Sequence, residues 1–379
     1  MNTSLTEKEW TLTSRERCLL SLLLGEKLKA KDMDLLMSGA DIDLENQNWL
    51  LMLSRVGYMQ GWDLFPKEII PRLKGIHRYA QVHNTIRIPW LMDKIHTLRH
   101  ANIPVMLIKG LALRFYYSAG MPRVMGDYDI AVPEESYEMA MTVLQGTDDV
   151  YKGTPNSYHG QVIGDGRRLE IHRWIFKHHG EKGTDIWERA VYFDLYGEKV
   201  CVPCPEDMFI HQMDNRCRDM FEDIFPNRKI NWLYDCRRIL DFSDMKMDVP
   251  SMVSRAKEFD VLYCMRRILL IFADTFPDIV DVGYIEKKIP LTPDYEMWLR
   301  KGHECQRISA RLKINHSNTM TPVYVVKRAI LKYRLYRHLQ SSGATSCHSF
   351  YQFVKEDLHI VSISDLFRKY RTRMHLFSR

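Results

Sequence analysis

Two short stretches, Val105 to Val132 and Arg168 to His172, limit what this chain can fold into more than any other part of it. Val105-Met-Leu-Ile108 is an apolar run that stops at Lys109-Gly110, the pattern of a buried strand running into a backbone turn. Leu111 to Tyr117 reads as a short helix opening at that turn, its first N–H groups directed at whatever anion lies beyond Gly110. Asp127-Tyr-Asp-Ile-Ala-Val132 follows. Side chains alternate along a strand, so Asp127 and Asp129 share one face while Tyr128, Ile130 and Val132 fill the other. Carboxylates about 7 Å apart on one strand repel unless a cation lies between them. Arg168-Leu-Glu-Ile-His172 repeats the alternation, with Leu169 and Ile171 on one face and Glu170 and His172 on the other. With the two strands side by side, Glu170 adds a third carboxylate to the same face. Hard oxygen ligands in that number suit Mg²⁺ or Mn²⁺, and two such ions about 3.5–4 Å apart can clamp an in-line phosphoryl displacement.

A strand, Lys-Gly, a helix, an Arg-containing loop, an Asp-x-Asp strand and a later acidic strand form a layout that resembles the polymerase-β-like nucleotidyltransferase superfamily. The chain is similar to its bacterial family labelled uncharacterised nucleotidyltransferase. The residues that carry the resemblance are Ile108-Lys-Gly-Leu-Ala-Leu113, Arg123-Val-Met-Gly-Asp127-Tyr-Asp129-Ile130 and Glu170-Ile-His-Arg-Trp174. It continues through Val202-Pro203, Pro205-Glu-Asp207, His211 and Asn231-Trp-Leu-Tyr-Asp235, and so covers most of residues 20–245. Leu111 stands where the wider superfamily usually has Gly or Ser, and the gap from Gly110 to Asp127 is longer than in its minimal members.

The resemblance implies an α+β fold, a nucleotidyltransferase-type mixed sheet with helices, flanked by N- and C-terminal helical regions. It also implies transfer of a nucleotidyl group from an NTP to an acceptor hydroxyl. Asp127, Asp129 and Glu170 would hold the metal ions, while Lys109, Gly110 and Arg123 would hold the phosphates. The acceptor is left open among small molecules, saccharides, proteins and RNA, and the oligomeric state is not specified.

In chain order, residues 1–100 read as a helical region, 101–205 as the catalytic core, 206–340 as a second helical region and 341–379 as a basic C-terminal segment. Thr13-Ser-Arg-Glu16 before Cys18 to Leu24 predicts a capped helix ending at Gly25. Helical spacing recurs over Asn48 to Tyr58, Pro71 to Val82 and Ile88 to Arg99. Glu134 to Leu144 predicts a helix, Gln161 to Trp174 a hairpin, and Lys199 to Val202 a further strand. Helices are then expected over Phe209 to Arg218, Ile230 to Phe242, Met252 to Phe259, Leu262 to Phe272 and Val323 to Leu339, with Ser341 to Ser346 as a linker.

Among 379 residues, 45% are hydrophobic, which is enough for sizeable cores. The net charge of +6 is too small to imply nucleic acid by itself. With no apolar leader, no membrane-length run and eight scattered cysteines, the expected home is a reducing cytoplasm. Cys201-Val-Pro-Cys204 lacks a second ligand pair, so neither zinc nor a disulfide is expected there. His172 reads as a histidine that braces or packs, His178-His179 as loop surface, and Asp235 as a brace for the site wall. Lys327, Arg328, Lys332, Arg334 and Arg337 lie among tyrosines, a pattern that suits a solvated helix face better than RNA or an anionic surface. Two other functions fit the acidic motifs. One is a glycosyltransferase binding a nucleotide-sugar through Mn²⁺; the other is a non-catalytic nucleotide- or RNA-binding module with a vestigial site. Neutralising Asp127 or Asp129 is expected to abolish metal-dependent NTP use without lowering stability.

Overall fold

Asp129 and Glu170 lie on strands of one mixed, seven-stranded sheet, with Asp127 just ahead of the first of them. The computed structural model describes residues 12–27, 29–37, 47–118, 120–123, 125, 127–146, 149–151, 159–164, 166–176, 184–222, 229–242, 248–300, 302–303, 330 and 333. The strands are β1 (Met106–Leu107), β2 (Tyr128–Ala131), β3 (Asp149–Tyr151), β4 (His159–Gly164), β5 (Arg167–His172), β6 (Val191–Leu195) and β7 (Glu198–Val202). Their order is β3-β4-β5-β2-β1-β7-β6. β2 and β5 run parallel, with Asp129 opposite Glu170 and Ala131 opposite His172. β1 is antiparallel to β2 and parallel to β7, and β4–β5 is the expected hairpin.

β3 and β6, the two edge strands, have no counterpart in the sequence reading. β6 alternates half-buried and exposed side chains, with Tyr192 and Asp194 facing solvent, so its apolar signal is diluted. The turn that ties it to β7 is local: Tyr196 and Gly197 both take positive φ, +56° and +86°, as a two-residue hairpin loop requires. Asp194 Oδ1 accepts a hydrogen bond from the Gly197 N–H at 3.0 Å.

The helices are α1 (Ser14–Leu23), α2 (Ala30–Met37), α3 (Gln47–Gln60), α4 (Ile70–His100), α5 (Lys109–Leu113), α6 (Tyr137–Leu144), α7 (Pro205–Glu222), α8 (Lys229–Phe242), α9 (Val249–Glu258), α10 (Leu262–Thr275) and α11 (Val282–Lys288). α1 begins with a full capping box: Thr13 Oγ1 accepts from the Glu16 N–H, and the Glu16 carboxylate accepts from the Thr13 N–H. Where two helices are expected over 71–99, α4 runs unbroken for 31 residues with Pro89 inside it. Proline removes one ladder bond from a helix, but it need not end one whose flanking turns are anchored. Here Ile88, Trp90 and Leu91 are buried beside it.

Strand alternation divides the core in two. Leu107, Tyr128, Ile130, Leu169 and Ile171 pack with Ile95 and Leu98 of α4 and Tyr137, Met141 and Leu144 of α6. Met106, Ile108 and Ala131 face the other way, into a cluster containing Leu19 and Leu20 of α1, Leu53 of α3, Phe209 and Met213 of α7, and Phe272 of α10. The acidic residues lie on this second face. No helix of the described residues is long and apolar enough to cross a membrane. His178-His179, the linker over 341–346 and the basic segment over 341–379 lie outside the described residues, as does the helix expected over 323–339 apart from positions 330 and 333.

Candidate active site

The parallel register of β2 on β5 sets Asp129 beside Glu170 on one sheet face, with His172 one step further along. All three are buried, at 4%, 6% and 0% exposure. One ligand atom from each lies within 4.8 Å of the others, the spacing of groups that could share a metal ion. His172 Nε2 is hydrogen-bonded to Asp129 Oδ1 at 2.9 Å and lies 3.6 Å from Glu170 Oε2. Lys109 Nζ reaches the same point, 2.5 Å from Asp129 Oδ1 and 3.7 Å from Glu170 Oε2. His159 sits opposite His172 on β4, its Nε2 3.9 Å from Glu170 Oε1.

Asp127, expected beside Asp129 on the strand, lies one residue before β2 and outside this compact group. Its carboxylate is more than a third exposed and accepts from Arg168 Nη2 at 2.9 Å. The same Arg168 nitrogen donates to Glu170 Oε1 at 2.5 Å, so a guanidinium bridges the two carboxylates. Arg168 precedes Glu170 by two residues, and the alternation that placed Glu170 places it on the same face. Nothing in the sequence marks Arg168 for a role at the site.

Charge follows this geometry. Burial by itself would raise Asp129, but the Lys109 ammonium and the His172 imidazole outweigh it and hold the carboxyl below its ordinary value. Glu170 is likewise penalised by burial, yet the His172 hydrogen bond and the charges of His159 and Lys109 hold it well below the usual carboxylate range. Asp127 is raised, by burial first and by the negative charges of Asp129 and Glu170 next, against Arg168 and Lys109.

The Lys109-Gly110 turn is built by backbone geometry. The Ile108 N–H donates to the Asp129 carbonyl at 3.1 Å, and Lys109 then takes φ of +50°, a left-handed conformation that a non-glycine residue seldom adopts. Gly110 is required by close packing: a Cβ there would lie 2.5 Å from Arg123 Nη1 and 3.2 Å from Met125 Cγ. Arg123 has little freedom to give way, because its Nε and Nη2 donate to Asp235 Oδ1 and Oδ2 at 3.1 and 2.9 Å. Tyr117 also donates to Asp235, at 2.5 Å. The expected bracing role of Asp235 thus takes a definite form: it orients Arg123 and leaves Nη1 over Gly110.

A row on α4 holds the loop that carries Arg123. His77 Nε2 lies 3.1 Å from the Gly120 carbonyl, Gln81 Nε2 donates to that carbonyl at 2.9 Å, and Asn84 Nδ2 donates to the Arg123 carbonyl at 2.7 Å. Arg55 of α3, 2% exposed, donates from Nε and Nη2 to the Pro122 carbonyl. None of these residues stood out in the sequence. Each recognises a main-chain carbonyl, a target without a sequence signature. Cys201 and Cys204 are buried free thiols, pushed up by burial to about 11 and about 12.

The model of a protein family described as uncharacterised nucleotidyltransferase matches residues 50–277. This span runs from α3 through α10 and includes every residue of the site described above. A solved structure described as an antigenic nucleotidyltransferase-like protein from Paracoccidioides brasiliensis is similar at 11% identity and a TM-score of 0.34, covering 52% of this chain and 90% of that one. Comparison with curated proteins finds no match.

Proposed function

The chain belongs to the uncharacterised nucleotidyltransferase family, and from that premise we propose that it moves a nucleotidyl group from an NTP to an acceptor hydroxyl at the Asp129–Glu170 site, with Mg²⁺ or Mn²⁺ as cofactor. The observation that carries this reading is the register of β2 on β5, which sets two buried carboxylates side by side and His172 against them. The donor set fits a divalent ion: two carboxylate oxygens and an imidazole nitrogen within 4.8 Å, with the Lys109 ammonium standing in as a cation among them. Asp129 and Glu170 would hold the metal, with His172 beside them and Asp127 as a further carboxylate just ahead of β2. A bound ion there would neutralise phosphate charge and lower the pKa of an acceptor hydroxyl.

The chain's own residues supply the rest. Gly110 lets Arg123 Nη1 pack close over the backbone of the turn, while Asp235 fixes the rest of the guanidinium. Lys109 adds an ammonium at the start of the same turn. These three are the proposed phosphate contacts. Incubation of the full chain with labelled NTPs, Mg²⁺ and candidate acceptors (small molecules, saccharides, RNA and the protein itself) tests the proposal. Label transfer that Asp129→Asn abolishes is the expected result; absence of transfer to any acceptor would count against it. One observation favours a second reading, a nucleotide-binding module with a vestigial site: Lys109 and Arg168 already neutralise the acidic face with no metal required. Metal binding without NTP turnover would select that reading.

A further inference from the structure

Three buried groups converge on one ammonium. Lys109 Nζ lies 2.5 Å from Asp129 Oδ1, 3.4 Å from His172 Nε2 and 3.7 Å from Glu170 Oε2. These are the same three residues whose ligand atoms are close enough to share a metal ion. Like charges crowded onto one set of ligands in a poorly hydrated site repel strongly. An ammonium and a divalent ion therefore compete for Asp129. The lysine is held near this position by its main chain: Ile108 is hydrogen-bonded to the Asp129 carbonyl, and Lys109 is fixed in the left-handed region at φ +50°. Its side chain is 27% exposed against 6% for Asp129, so the lysine reaches solvent while the carboxylate is enclosed.

We infer that Lys109 is a resident cation that a divalent ion must displace, and that an anionic nucleotide couples to metal binding by receiving the displaced ammonium on its phosphates. The inference rests on the metal reading above and adds to it the order of events. A divalent ion alone binds weakly, and the coupling between metal and nucleotide is reciprocal. Lys109 is a positioning residue in this scheme: its charge sets when the metal ligands become available.

The test uses Mn²⁺ alone on the full chain, with bound metal read from the loss of the free-ion electron paramagnetic resonance signal. Lys109→Met keeps a long unbranched side chain without charge and should bind Mn²⁺ about tenfold or more tightly than the wild type. Lys109→Arg keeps the charge and should not. A second readout needs no variant: reductive methylation of Lys109, followed by mass spectrometry, should accelerate when Mn²⁺ is added. Equal Mn²⁺ affinity in wild type and Lys109→Met overturns this inference and leaves the metal reading standing. Unchanged methylation in Mn²⁺-loaded wild type does the same. Failure of both proteins to bind Mn²⁺ overturns the two together.

Discussion

Asp127 and Asp129, two positions apart in the chain, have opposite electrostatic fates. Asp129 is buried among Lys109 and His172 and is held below its ordinary value, whereas Asp127 is raised by burial and by its acidic neighbours. Asn at 127 removes a charge that the site disfavours, so Asp127→Asn should leave stability within about 0.5 kcal/mol of wild type or raise it. Asn at 129 takes away the nearest carboxylate of the Lys109 ammonium, which keeps Glu170 at 3.7 Å, and should cost about 2–3 kcal/mol, less than breaking a fully buried pair because the lysine is partly exposed. Burial beside Lys109 and His172 thus reverses the expectation from the sequence that neutralising Asp129 leaves stability unchanged. Urea denaturation of the metal-free proteins at pH 7 separates the two, and equal losses would contradict the geometry. The sign of the pH dependence follows. Asp129 and Glu170 have depressed folded values, so their contribution is complete above the ordinary carboxylate range of about 4 and is lost as pH falls below it. Asp127 acts in the opposite sense. In metal-free protein, stability should therefore fall less steeply below about pH 4 in Glu170→Gln than in wild type. The shared face of Asp129, Glu170 and His172 was legible in the sequence because alternation is a local property, whereas Asp127, expected on the same strand, falls just before it. The positions of Lys109 and Arg168 were not, because they depend on which strand pairs with which.

At the scale of elements, the same distinction between local and remote causes holds. The capping box of α1, the β4–β5 hairpin and the helices α8 to α10 arise from neighbouring residues, and the sequence announces them. The continuous α4 does not announce itself, since Pro89 and the polar turn before it suggest a break that packing overrides. One consequence of that long helix is that its row of His77, Gln81 and Asn84 can hold the loop on which Arg123 sits. Asn84→Ala removes a hydrogen bond to the Arg123 carbonyl and should cost about 1 kcal/mol. Since that bond fixes the loop and leaves the Arg123–Asp235 pair intact, nucleotide affinity should fall more than melting temperature suggests. Calorimetric titration with a nonhydrolysable NTP, beside thermal melting of the same variant, measures both. An Asn84→Ala protein with lowered stability and unchanged affinity would confine α4 to a supporting role.

For the whole molecule, the decisive feature is a core that joins the first described helix to the last ones. Leu19, Leu20, Leu22 and Leu23 of α1 are each at most 2% exposed, in the same cluster as Leu233 of α8 and Phe272 of α10. Polar ties follow the same path. Arg17 Nη2 pairs with Asp274 Oδ2 at 2.7 Å, and Gln60 Nε2 of α3 donates to the Leu22 and Glu26 carbonyls. The exposed ion pair contributes little, but the leucines do not. Full burial of each stabilises by about 1.5–3 kcal/mol, so removing all four costs about 6 kcal/mol at the lower end. A typical domain has only about 5–15 kcal/mol of stability in total. A chain lacking residues 1–25 should therefore lose its cooperative melt, and the loss should reach α8 and α10, far from the cut in sequence. Circular dichroism melting of the truncated chain checks this, with hydrogen exchange over α8 and α10 as the local readout. Were the N-terminal helices a separable lid, the truncated protein would keep its melting temperature and the protection of α10. The cluster shared by α1, α8 and α10 requires the opposite outcome.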